Sequence, residues 1–171
     1  MTLLHIYSNN VGLIHLIFSV LAVITGTSVL IQKKGTINHR KMGYLYTFSM
    51  IGVLVTSFFM YNLFGRFGIF HGLALVSMVT LLGGLLPMLL RKPKSYITMH
   101  YNFMFWSVFG LYGALIAEIL VRIPKAVFTD STPNSLFYNL IGVGVFFVMG
   151  LGYFIINKNR SNWSKFDKNH P

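Results

Sequence analysis

Five long apolar runs, separated by short polar or basic breaks, account for most of the chain. They cover residues 11–31, 42–64, 67–90, 97–121 and 135–156. Each reaches the roughly 20 residues of helix that a hydrocarbon core about 30 Å thick requires. The segment from Gln32 to Lys41 is polar and basic, Gly65-Arg66 reads as a tight turn, and Arg91-Lys92-Pro93-Lys94 as a basic turn. The break from Pro124 to Asn134 holds two prolines and Asp130. None of the runs alternates with period two, which excludes barrel strands. The pattern predicts an all-α polytopic membrane protein with five transmembrane helices. Short connections place sequential helices side by side, with helices 1–4 as an antiparallel bundle and helix 5 peripheral. Residues 1–156 form one transmembrane domain, and 157–171 a loose, basic cytoplasmic tail.

Charge sets the orientation. Lys33, Lys34, Arg40 and Lys41 lie between helices 1 and 2, Arg91, Lys92 and Lys94 between helices 3 and 4, and Lys158, Arg160, Lys165 and Lys168 in the tail. Five crossings put all of these on one side, and only Arg66, Arg122 and Lys125 on the other. The positive-inside rule then predicts an N-out/C-in topology in the cell membrane. The net charge of +11 is explained by this asymmetry, helped by attraction to anionic lipid. It is no sign of nucleic acid, and the expected partner is the lipid bilayer. With 54% hydrophobic and 10% charged residues, a soluble domain is excluded. The absence of cysteine excludes thiolate zinc sites, iron–sulfur clusters, covalently attached haem and disulfides. The opening MTLLHIYSNN has no basic n-region, so helix 1 is expected to be retained.

Ionisable residues inside a membrane are expensive and mark functional candidates. His15, His39, His71 and His100 each lie near the start of one of the first four helices. Alternating helix direction puts His15 and His71 at the outer level, and His39 and His100 at the inner level. The partial positive charge of a helix N-terminus keeps imidazole neutral, which is its metal-ligating form. The bland reading of any one of them is an amphipathic ring at the headgroup level. On helix 1, Gly12, His15, Ser19, Ala22 and Gly26 recur at spacings of three and four, a small and polar face that must look into the bundle. On helix 4, His100 and Glu118 share a face about 27 Å apart, which brings Glu118 to the outer level. Pairing with Arg122 four residues on explains that carboxylate equally well.

The sharpest chemistry is two b-type haems. His15 with His71 brackets an outer haem and His39 with His100 an inner one, with Arg66, Arg122 and Lys125 outside and Arg40, Arg91 and Lys92 inside for the propionates. Such a chain carries electrons across the bilayer, as an electron-transfer protein or reductase. One alternative is a single Zn, Fe or Cu ion on His15, His71 and Glu118. Another is a non-redox binding, transport or assembly protein with no cofactor. Room remains for a quinone or redox partner and for a homo-oligomer. Gly83-Gly84 and Pro87 read as close-packing and kink features, and Trp106 as a packing residue or cofactor wall.

The run His15…Gly26…His39-Arg40-x-x-Gly43, then Phe70-His71, then His100, resembles a family of uncharacterised bacterial integral-membrane proteins across residues 10–122. That resemblance implies a bacterial inner or plasma membrane location and no particular activity. The placement of histidines on alternate helices is similar to that of two-haem membrane cytochromes b.

Overall fold

The computed structural model describes residues 10–60, 67–127 and 135–163. Within them lie five helices, α1 (Asn10–Ile31), α2 (Ile37–Ser57), α3 (Ile69–Leu90), α4 (Tyr96–Val127) and α5 (Ser135–Trp163). Four segments are long and apolar enough to cross a membrane: Asn10–Ile31, Phe70–Leu90, Tyr96–Leu120 and Asn139–Asn159. The exception is α2, whose first turn carries Asn38, His39, Arg40 and Lys41.

Four helix ends differ from the expectation. α2 starts at Ile37, five residues before the apolar run, because the Thr36 side chain accepts a hydrogen bond from the His39 N–H and caps the helix there. It stops at Ser57, with Phe58 as its C-cap, although the apolar run continues; residues 61–64 lie outside the described ones. α4 runs on to Val127 through Pro124, which was expected to break it. The helix continues past it at the loss of one backbone bond, the one Pro124 cannot donate to the Leu120 carbonyl. α5 reaches Trp163, so residues 157–163 are helical where a loose tail was expected. A formed helix propagates cheaply, one hydrogen bond per added residue, and the Asn159 amide donates back to the Ile155 carbonyl.

Residues 1–82 and 83–171 form two compact units, the division falling within α3. In the first, α1 and α2 pair as an antiparallel hairpin. The expected small face of α1 is its packed face: Gly12, Ala22 and Gly26 are buried, together with Thr25 and Val29. Tyr46, Ser49, Met50 and Leu54 are the buried residues of α2. A Cβ at Gly52 would lie 2.5 Å from the Phe18 ring, so the glycine is what lets that ring rest on the α2 backbone. Gly35 makes the connecting turn with φ of 78°. Beside it, the Lys34 ammonium donates to the Val29 and Leu30 carbonyls and closes the end of α1. Burial holds its pKa below the ordinary lysine value.

In the second unit the end of α3 folds against the start of α4. A Cβ at Gly83 would stand 2.7 Å from the Phe103 ring, and one at Gly84 2.7 Å from the Met104 side chain. These glycines are therefore packing devices. α4 and α5 pair through Gly144, where a Cβ would meet Leu120 at 2.8 Å, and Gly152, where it would meet Phe109 at 2.7 Å. The other side of α5 is open: Val143, Phe146, Phe147 and Phe154 are each more than three-fifths exposed, as on a helix facing lipid.

Close approach at glycine is thus separable from glycine as such. Gly52→Ala is expected to lower stability in detergent by about 1–3 kcal/mol through overpacking against Phe18. Gly142→Ala, which has nothing within 4 Å of its added methyl, should be neutral or stabilise by about 0.5–1 kcal/mol. Thermal unfolding of the two variants measures the difference.

Candidate functional site

His15 sits two turns into α1, half-buried, and its Nδ1 lies 2.8 Å from the Thr56 hydroxyl at the end of α2. That hydroxyl already gives its proton to its own helix, with the Gly52 carbonyl at 2.7 Å and that of Val53 at 3.0 Å. With its single hydrogen committed, Thr56 Oγ1 accepts, and His15 Nδ1–H donates. The neutral ring is then the tautomer with its lone pair on Nε2.

His71 is only 4% exposed. It is the third residue of α3, and its backbone N–H donates to the Gly68 carbonyl at 3.0 Å. Its Nδ1 in return accepts the Gly68 N–H at 3.2 Å. This is a capping-box arrangement with imidazole in the place of the usual glutamate or glutamine. It fixes the opposite tautomer, with the proton of the neutral ring on Nε2. The ring lies 4.8 Å from that of Phe67 and 6.4 Å from that of Phe58. Through Thr56 and Phe58, His15 and His71 both reach the same end of α2.

His39 is the third residue of α2, with its Nδ1 shut off from solvent. Neighbouring Arg40 is exposed and reaches the Gly35 carbonyl at 3.4 Å. His100, five residues into α4, donates from Nδ1 to the Gly84 carbonyl at 2.8 Å, since a carbonyl can only accept. This bond lies next to the carbonyl of Gly83, whose usual helical donor would be the missing N–H of Pro87. His100 therefore carries the same tautomer as His15. Glu118 is half-buried in α4. The Arg122 side chain expected to pair with it lies outside the described ones, as do Arg66 and the side chain of Lys125. Among the described residues no group of three or more His, Cys, Asp or Glu side chains is placed to hold a metal ion. The single-ion arrangement on His15, His71 and Glu118 draws no support from it.

Three residues that shape these environments were not singled out from sequence: Thr56, Phe58 and Phe67. Thr56 was within reach, because an antiparallel hairpin must bring the end of helix 2 to the start of helix 1. Gly68, three residues before His71, has the capping-box spacing, but histidine is not the residue that spacing normally carries.

Residues 12–156 match the model of a family described as a predicted membrane protein (DUF2306), a span that takes in all four helix-start histidines. No curated protein and no solved structure matches the chain.

The cap at His71 can be tested by itself. His71→Ala leaves the Gly68 N–H without its acceptor and opens space beside Phe67, and should lower stability by about 2–3 kcal/mol. His71→Gln restores a side-chain acceptor at the third helical position and is expected to recover about 1 kcal/mol of that loss. Equal instability of the two variants in thermal unfolding would remove the capping role.

Proposed function

The chain belongs to the DUF2306 family of predicted membrane proteins, and we propose that it is an electron-transfer protein of the bacterial plasma membrane that binds b-type haem through histidines of alternate helices. His15 is paired with His71, and His39 and His100 are the further candidate ligands. Five crossings with an N-out/C-in topology complete the proposal, on the strength of the basic residues gathered in alternate connections.

The observation that carries this reading is the hydrogen bond from His15 to Thr56. An imidazole whose Nδ1–H is tied to oxygen presents its Nε2 lone pair in a fixed direction, the usual support for a metal-ligating histidine. His100 is supported in the same way by the Gly84 carbonyl. His71 contributes a nearly water-free environment walled by Phe58 and Phe67 at the end of α2 that His15 also reaches. Its ring would offer an Nε2 lone pair only with its proton on Nδ1, at the expense of the Gly68 hydrogen bond. The residues therefore fit the group at His15 and His100 as they stand, and at His71 after one hydrogen bond is exchanged. Arg40, exposed in the first turn of α2, offers a guanidinium for a propionate. Haem bound at such sites supplies one-electron chemistry through its iron.

A second reading, a non-redox binding, transport or assembly protein, is favoured by the capping bond of His71. A histidine that completes a helix start needs no ligand to account for its burial.

The two are separated by a dithionite-reduced minus oxidised spectrum of detergent-purified protein expressed with ample haem. Sharp reduced b-type bands at about two haems per chain are expected. His15→Ala and His71→Gln should each remove about half of the signal while the protein remains inserted. A colourless protein, or bands that neither substitution changes, would overturn the haem reading and leave the non-redox one.

A further inference from the structure

A cleft of about 210 Å³ opens between α4 and α5, at the end of their hairpin where α4 begins and α5 finishes. It is lined by Asn102, Trp106, Tyr153, Ile156 and Asn157. We propose that this cleft binds the head ring of a membrane-borne quinone. The inference rests on the electron-transfer reading for its purpose, but its chemistry stands on the cleft alone.

Two carboxamides, one from each helix, line a single small space, half-buried Asn102 on α4 and exposed Asn157 on α5. Each offers N–H donors, and a quinone carries two carbonyl acceptors on opposite edges of a flat ring. Trp106 and Tyr153 supply aromatic surface for that ring to lie against. Ile156, 7% exposed, gives an apolar floor. Charge is absent from the lining, so a phosphate or ammonium headgroup finds no counter-ion there. Size points the same way. Whole drug-sized ligands occupy roughly 300–1,000 Å³, whereas this cleft suits one substituted ring whose tail stays in the lipid.

The wall is also braced. Gly152 lets the Trp106 and Phe109 rings lie against α5, where a Cβ would come within 3.2 Å of Trp106 and 2.7 Å of Phe109. Phe105 meets Trp106 edge-on at 5.8 Å and stacks on Phe109 at 4.4 Å. Trp106 is thus held between aromatic neighbours and a glycine, as a rigid face of the cleft rather than a free rotor. This deepens the expectation that it serves as packing or as a cofactor wall.

Of the two tryptophans in the chain, Trp163 can be replaced by phenylalanine so that fluorescence reports on Trp106 alone. Titration of that detergent-purified protein with decylubiquinone is expected to quench Trp106 saturably. Asn102→Leu and Asn157→Leu should each weaken binding by about tenfold or more while the thermal unfolding midpoint holds. Tyr153→Leu, at a side chain largely exposed already, provides a variant of low folding risk with the same expected direction. Quenching that never saturates, or that all three variants leave unchanged, overturns the proposal. So does protection of Trp106 by octyl glucoside or phosphatidylglycerol with no response to quinone, which would assign the cleft to a sugar or a phospholipid. Haem measured on the same samples keeps the two readings apart: saturable quinone binding by haem-free protein preserves the cleft and removes the haem, and haem without quinone binding does the reverse.

Discussion

In a bilayer, apolar side chains lose nothing by facing lipid, so helices associate only where their backbones come close enough for extensive van der Waals contact. Here that closeness takes a recurring form, a phenylalanine ring laid on a glycine of the neighbouring helix. Phe18 lies on Gly52, Phe103 on Gly83 and Phe109 on Gly152. The placement of His15, His100 and Trp106 follows from it. The Phe18 contact sets the α1–α2 register that brings His15 to Thr56. The Gly83-Gly84 contacts bring the first turns of α4 against α3, where His100 meets the Gly84 carbonyl. The Gly152 contact shapes the cleft beside Trp106.

Much of this was legible in the sequence because it depends on residue size and spacing. Gly12, Ala22 and Gly26 fall at helical intervals among large apolar residues, and they are buried against α2 as their spacing implied. The paired glycines before Pro87 read as close packing, and that is what they do. The ends of the helices were less legible, for a common reason. Hydropathy marks where a segment prefers lipid, whereas a helix ends where its backbone finds a cap or runs out of propagation. Thr36 starts α2 ahead of the apolar run, and α5 carries its hydrogen bonding past Ile156 into polar sequence.

The histidines divide in the same way. Their positions near helix starts could be read directly, but their tautomers could not, because these depend on atoms that are distant in sequence or belong to the backbone. Thr56 is 41 residues from His15, and the Gly84 carbonyl is 16 residues from His100. Two imidazoles alike in sequence thus come to opposite protonation patterns: His15 donates from Nδ1, and His71 accepts there. A helix-start histidine can serve its own backbone or offer itself to a ligand, and only the geometry distinguishes the two.

The bond between His71 and Gly68 also bears on the order in which such a protein is made. A side chain that completes the first turn of its own helix gives that helix a finished start as soon as it forms. Formation of that first turn then needs no guest molecule. Whatever later takes hold of the buried ring must compete with a hydrogen bond already made, which favours late loading into a finished scaffold over co-folding around the guest.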